Sequence, residues 1–376
     1  MLRAPPWAWA VLVTASPALA QRPPTPPPIT RIATPPVCST CRLTLTTTLR
    51  LGADTGVTFH DLGYTATRDS RGRLFFTGFG TEGAVTVYDP GSRRAFTLGR
   101  RGRGPGEFIS PAFALAGKGD TIFVWDDAAR RISVFGPDLR FVRSFPLGGF
   151  RAQRGIVLDS GELILSGHGV SAGAVGSPLL RVHPARGGGG GTAFGGEGGV
   201  VRPEQWMDQS LELGRAKGGR VWSGRINRYL LTLWSAEGRP VKRIERQAPW
   251  FASREGADPR TEVAHAGAAL VGLWEDGQGL VWTTSVVPAE RKIDISPASH
   301  RERGAPERLS HEVLLERLDT MIEAIDPVRG QVVVSRRVRG PLVPGGSPGT
   351  LLRLTMDDQG REFLELVQVG LLRGGR

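Results

Sequence analysis

The sequence predicts an all-β chain: a six-bladed β-propeller of four-stranded antiparallel blades, closed by N- and C-terminal strands in one blade. Three observations predict it. After residue 41, short apolar or alternating runs separated by Gly, Pro and Asp turns dominate, and helical periodicity is rare. One pattern, a turn closing on glycine followed by an apolar and often aromatic strand, recurs six times. The sixth copy is truncated, and an unpartnered β-rich run stands at the opposite end of the chain.

The chain opens with Arg3, the apolar run Trp7 to Val13, and Ala18-Leu19-Ala20 before Gln21. This is the layout of a secretory signal peptide over residues 1–20, so the mature chain is expected to be exported, periplasmic or extracellular. The apolar run is too short to span a bilayer and Pro17 breaks it, so no transmembrane anchor is expected. Cys38 follows Pro35-Pro36-Val37, which is no lipid-attachment context. Losing Arg3 leaves 47 basic against 36 acidic residues, a charge near +11 carried almost wholly by arginine. The arginines are scattered rather than gathered in one run, which argues for a solvated basic surface and against nucleic acid as partner.

Residues 21–41 read as a Pro-rich linker that joins no sheet, ending in the pair Cys38 and Cys41. A zinc site needs two more ligands of that kind, and c-type haem attachment needs histidine where Arg42 stands. The pair reads as a local disulfide, with a thiol redox pair as the other reading.

Residues 42–376 form the propeller. The repeated turn-and-strand copies are Gly72 to Phe76, Gly119 to Trp125, Gly161 to Leu165, Gly219 to Trp222, Gly279 to Trp282 and Gly360 to Leu364. Five are followed by an alternating strand that enters a tight turn: 84–88, 131–135, 179–182, 229–233 and 321–325. Such sheets bury both faces only by stacking on neighbours, and radial repetition achieves that. The run Leu43 to Leu49 supplies the outer strand missing from the sixth unit, so the ring closes by pairing of its termini. Two insertions interrupt the repeat. Residues 186–200 are glycine-rich and read as a flexible loop, and within 287–317 the stretch Glu307 to Leu318 has the spacing of a short amphipathic helix or flap.

One unit carries a resemblance. Leu98-Gly99-Arg100-Arg101-Gly102-Arg103-Gly104-Pro105-Gly106-Glu107-Phe108, then Pro111, Gly119-Asp120, Ile122 to Val124, Asp126 and Arg131-Ile132-Ser133-Val134-Phe135, resembles an NHL repeat. Asp319 to Pro327 is similar to a strand and turn of secreted six-bladed propellers of bacteria. The resemblance implies fold and export, and leaves activity open between binding modules and enzymes. The glycines at 99, 102, 104 and 106 lack the lysine-serine pair of a phosphate loop and read as a blade-to-blade connection. By analogy with propeller ligands, Arg100, Arg101, Arg103 and Glu107 are the candidate ligand- or partner-binding residues on the ring's face.

The function expected is a non-enzymatic binding scaffold for a ligand or a protein, peptide or glycan partner, acting as a monomer without cofactor or metal. The alternative is a calcium- or zinc-dependent lactone or ester hydrolase, because related six-bladed folds hold a metal in the channel through Asn, Asp and Glu oxygens. Asn227 is the sole asparagine, which counts against it, although Asp126, Asp127, Glu162 and Glu275 could substitute. No catalytic residue is expected. His60, His168, His183, His265, His300 and His311 show no ligand spacing. Trp125, Trp222 and Trp282, each following a glycine turn, are expected to pack between blades.

Overall fold

The computed structural model describes residues 26–57, 65–77, 83–169, 178–187, 191–195, 210–255, 267–290 and 317–374. Residues 1–20, read as a signal peptide, and His60, His265, His300 and His311 lie outside them, as do residues 307–316 of the stretch with helical spacing and the whole of 196–209. Leu318, counted with that helical spacing, instead opens a strand.

Two strands precede the first blade, β1 (Ile29–Ile32) and β2 (Arg42–Leu51). Blade 1 is β3 (Thr65–Arg68), β4 (Leu74–Thr77), β5 (Val85–Asp89) and β6 (Arg94–Leu98). Blade 2 is β7 (Pro111–Ala116), β8 (Ile122–Asp126), β9 (Arg131–Phe135) and β10 (Phe141–Pro146). Blade 3 is β11 (Phe150–Val157), β12 (Leu163–Gly169), β13 (Leu179–Val182) and β14 (Gly191–Phe194). Blade 4 is β15 (Leu211–Arg215), β16 (Val221–Arg225), β17 (Leu230–Trp234) and β18 (Pro240–Arg246). Blade 5 is β19 (Ala269–Glu275), β20 (Val281–Pro288), β21 (Leu318–Asp326) and β22 (Gln331–Arg339). Blade 6 is β23 (Leu342–Pro344), β24 (Thr350–Met356) and β25 (Glu362–Leu372), completed by β2 in the order β23-β24-β25-β2.

The glycine turns have a conformational cause. Gly72, Gly161 and Gly279 stand at φ +81°, +85° and +83°, where a Cβ is strained, and each turn leads into the second strand of its blade. The sixth copy departs from this equivalence. Gly360 joins β24 to β25, so its strand is the third of blade 6, and the two inner strands of that blade lie in 342–356.

Alternation along each second strand builds the core. Leu74 and Phe76 join the cluster shared with blade 6, whereas Phe75 joins the one shared with blade 2. Phe123 and Trp125 likewise face blade 3, and Ile122 and Val124 face blade 1. Six apolar clusters result, one at each junction between neighbouring blades. Trp125, Trp222 and Trp282 are buried in them.

Ring closure follows the sequence expectation. β2 pairs antiparallel with β25 from Arg42↔Leu372 to Leu51↔Leu364, with one register shift between Thr47 and Leu49. Before β2 the chain corrects that expectation. Ile29–Ile32 pairs parallel with β18 and makes blade 4 five-stranded, although this stretch was read as unable to join a sheet. The prolines flank these four residues and none lies among them, so every backbone donor of the strand is available. The chain then crosses the outer strand of blade 5, where Val37 N donates to Val332 O at 2.9 Å. There Cys38 and Cys41 form a disulfide. Residues 29–51 thus strap the outer edges of blades 4, 5 and 6 in turn.

The first strand of the strap ends on a buried ion pair. Arg246 and Glu323, with side chains 5% and 0% exposed, meet at 3.2 Å between blades 4 and 5. Tyr229 OH donates to Glu323 Oε2 at 2.9 Å, and Arg246 Nη1 donates to Ile32 O at 3.2 Å. Burial and the Glu323 charge push the Tyr229 hydroxyl well above the ordinary tyrosine value.

A second correction concerns the glycine-rich insertion. Gly191–Phe194, inside the stretch read as loop, is the outer strand of blade 3, paired with β13. Backbone pairing needs no side chain, and a Cβ on Gly191 would stand 2.7 Å from Arg181 O.

Candidate functional site

Because strands alternate in direction, the first-to-second hairpins and the third-to-fourth hairpins fall on one face of the ring, here the hairpin face. The second-to-third hairpins and the blade-to-blade connections fall on the other. The innermost strands β3, β7, β11, β15, β19 and β23 surround a channel, and its hairpin-face half is a cavity of about 390 Å³ walled by all six blades. Its walls are mainly apolar, with Phe113, Leu115, Ile156, Leu213, Leu273 and Trp274 among them.

Four charged residues also line the cavity: Arg68, Arg154, Glu212 and Arg215. Arg154 and Glu212 are at its inner end, Arg68 and Arg215 at the strand ends nearest the hairpins. Arg154 Nε donates to Glu212 Oε1 at 3.1 Å and Arg154 Nη1 to Gln153 O at 3.0 Å. A bulge between Ala152 and Arg154 breaks the β11 register at that point and leaves Gln153 as the extra residue. Gln153 Oε1 in turn accepts from Ser210 Oγ at 2.7 Å, which ties blade 3 to the residue before β15. Bulges recur at the same level of β7 and β19.

Glu212 is 6% exposed, and burial raises its carboxyl above the ordinary value of 4.5 despite the opposing effect of Arg154. A raised folded-state pKa stabilises the fold fully below that ordinary value, and the contribution is lost as pH rises through the raised one. Glu212→Gln, which does not titrate there, is therefore expected to gain stability relative to the parent as pH increases from 4.5 into the neutral range. Thermal midpoints of both proteins across that range test this, and parallel curves would refute it.

The residues singled out from sequence lie on the opposite face. Arg100, Arg101, Arg103 and Glu107 occupy the connection from blade 1 to blade 2. Glu107 accepts from Gly104 N at 2.8 Å and from Arg100 Nε at 2.7 Å, which in that order hold its carboxyl below the ordinary range. Arg131 Nη2 donates to the carbonyls of Gly104 and Glu107, both at 2.9 Å. A Cβ on Gly102 would lie 2.0 Å from Glu107 Oε2, so glycine there makes room for the carboxylate. Asp126, fully buried, accepts from Ile109 N, Ser110 N and Ala129 N. The residues that carry the family resemblance fold this connection around the buried Phe108. Arg100, Arg101 and Arg103 are exposed there.

The other named carboxylates stand apart from one another. Asp127 binds Arg151 through two bonds, Glu162 meets Arg181 and His183, and Glu275 accepts from Trp222 Nε1 at 2.8 Å. Among the described residues no group of three or more His, Cys, Asp or Glu could hold a metal ion. His168 is half-buried beside Arg151 and Arg130, and burial and these charges lower its pKa.

Sequence reasoning missed Arg68, Arg154, Glu212 and Arg215, because the glycine-turn repeat marks second strands and the channel is built from first strands. The available signal was a charge inside an otherwise apolar strand, Glu212 in Leu211 to Arg215. It also missed a motif: Gly169-Val170-Ser171-Ala172-Gly173 has the G-x-S-x-G spacing. A nucleophile elbow joins a strand to a helix, whereas β12, which ends on Gly169, pairs antiparallel with the next described strand, β13; residues 170–177 lie outside the described ones.

No protein-family model matches the sequence, and no curated protein matches it. Solved structures do match the fold. A member of the DUF4221 family from Bacteroides vulgatus is similar at TM-score 0.55 and 10% identity, over 88% of this chain and 99% of that one. A Bacteroides fragilis protein named as an exported one is similar at TM-score 0.54 and 10% identity, over 90% and 98%. Identity this low establishes likeness of fold alone.

Proposed function

We propose that this protein is an exported binding propeller that takes a small ligand into the hairpin-face half of its channel. The observation that carries the reading is the Arg154–Glu212 pair set at the inner end of an apolar cavity walled by all six blades. Small-molecule sites are concave and mostly apolar, with a few convergent polar groups, and they span roughly 300–1,000 Å³. Export is supported by the signal-peptide layout and by the name of the Bacteroides fragilis neighbour. Among the described residues no helix is long and apolar enough to cross a membrane. The NHL-like character rests on the single unit from Leu98 to Phe135.

The test uses the purified mature protein and N-phenyl-1-naphthylamine, a neutral probe that fluoresces in apolar surroundings. Saturable one-to-one binding is expected, and Ser347→Trp, which places a bulky side chain in the cavity wall, is expected to abolish it while the thermal midpoint holds. Binding that survives this plug would sink the channel as the site.

A further inference from the structure

We infer that the channel selects a small organic monoanion with an apolar body, seating its carboxylate or sulfonate on Arg154 beside Glu212. The inference rests on the channel being the ligand site, and deepens that reading. Three of the four charged lining residues are arginines, and one of them, Arg154, stands at the inner end, where solvent screens charge less than at the rim.

Each cation differs in what already holds it. Arg154 commits Nε to Glu212 and Nη1 to Gln153 O; its Nη2 makes no hydrogen bond among the described residues, and the side chain is 42% exposed. Among the described residues Arg215 meets only Asp159, at 3.5 Å, and that carboxylate is 99% exposed. Such a surface pair contributes little and yields to a better-placed anion. Arg68 is exposed beside Gly72 at the rim. An entering anion therefore meets two weakly held guanidinium groups at the mouth and one fixed guanidinium at the inner end.

Glu212 sets the limit on charge. Its Oε1 is taken by Arg154, and the carboxylate is buried next to the seat, so a second negative group there faces direct repulsion. A monoanion that also presents a hydrogen-bond donor satisfies both partners. Between inner end and mouth the walls are apolar, which suits an aromatic or branched aliphatic body.

The probe pair that tests this is 8-anilinonaphthalene-1-sulfonate and N-phenyl-1-naphthylamine, which share one ring system and differ by the sulfonate. On the full mature protein the sulfonate is expected to bind roughly ten- to hundredfold more tightly, the span a charge-assisted hydrogen bond supplies. Added salt is expected to reduce that advantage and to leave the neutral probe unaffected. Arg154→Gln is expected to erase the advantage with neutral-probe affinity retained, and the double variant Arg68→Gln with Arg215→Gln, on exposed positions, to reduce it in part. Glu212→Gln is expected to leave sulfonate binding equal or tighter. Equal affinity of the two probes, or an advantage untouched by all these variants, overturns the anion preference while the channel stands as the site. Failure of both probes to bind overturns the channel reading and the preference together.

Discussion

Arg246→Ala is expected to destabilise the protein by about 3–5 kcal/mol, the cost of leaving one partner of a buried ion pair uncompensated. Glu323 is fully enclosed, and without Arg246 its carboxylate keeps one donor among the described residues, Tyr229 OH. The same substitution takes the guanidinium donor from Ile32 O, which keeps Gln247 N at 2.8 Å, and from Gln247 O, the acceptors through which Arg246 holds the strap and the end of blade 4. Glu323→Ala is expected to cost as much from the other side. The double variant Arg246→Met with Glu323→Leu removes both charges and fills similar space, so it should recover most of the loss. Chemical unfolding followed by tryptophan fluorescence measures all three. A double variant no better than the singles would show that the cost lies in packing rather than in a stranded charge.

Deleting residues 1–51 is expected to abolish cooperative unfolding altogether. The deletion strips blade 6 of β2 and removes Leu51, wholly buried in the cluster between blades 6 and 1, leaving the β25 edge open. A domain whose net stability is typically about 5–15 kcal/mol does not survive the loss of a ten-residue strand and part of one of its six junctions. Strand order rather than covalent order is what matters, and a permuted chain demonstrates it. Arg42 sits opposite Leu372, and Gly374 N reaches Thr40 O at 3.3 Å. Moving 42–51 to follow Gly374 through a short turn makes the same strand an ordinary third-to-fourth hairpin. The permutant should match a chain that lacks only residues 1–41, by thermal midpoint and by elution as a monomer. A permutant that aggregates like the deletion would mean that closure depends on the chain's native entry into blade 1.

Which parts of this were legible in the sequence follows from what each strand must do. Second strands are buried on both sides and follow a left-handed turn residue, so Gly72 to Phe76 or Gly279 to Trp282 announce themselves. Inner strands face a cavity, carry bulges and accept charge, so Phe150–Val157 and Leu211–Arg215 show no clean period. Outer strands need backbone pairing more than side chains, which hid Gly191–Phe194 in a glycine run and Ile29–Ile32 between prolines. Gly360 imitated the repeat from a different position in its blade. The site was hidden because Arg68, Arg154 and Glu212 meet only through the ring. Of the glycines that drew attention to Arg100 to Glu107, Gly102 and Gly104 make room for the Glu107 carboxylate, and Gly99 and Gly106 stand against Phe108 and Phe141.

The strap also fixes the order in which the molecule can be completed. Residues 29–51 precede every blade in the chain, yet their partners lie on blades 4, 5 and 6, as Thr47 and Glu365, 318 residues apart, illustrate. β1 has no partner until β18 exists, and β2 has none until the final strand does, so blade 6 is the last to be covered. Contacts of such long separation slow folding, because loop closure must precede any gain from pairing. A ribosome or translocation channel delivering this chain in sequence order therefore releases an open arc with adhesive ends, and the ring snaps shut only after β25 has emerged.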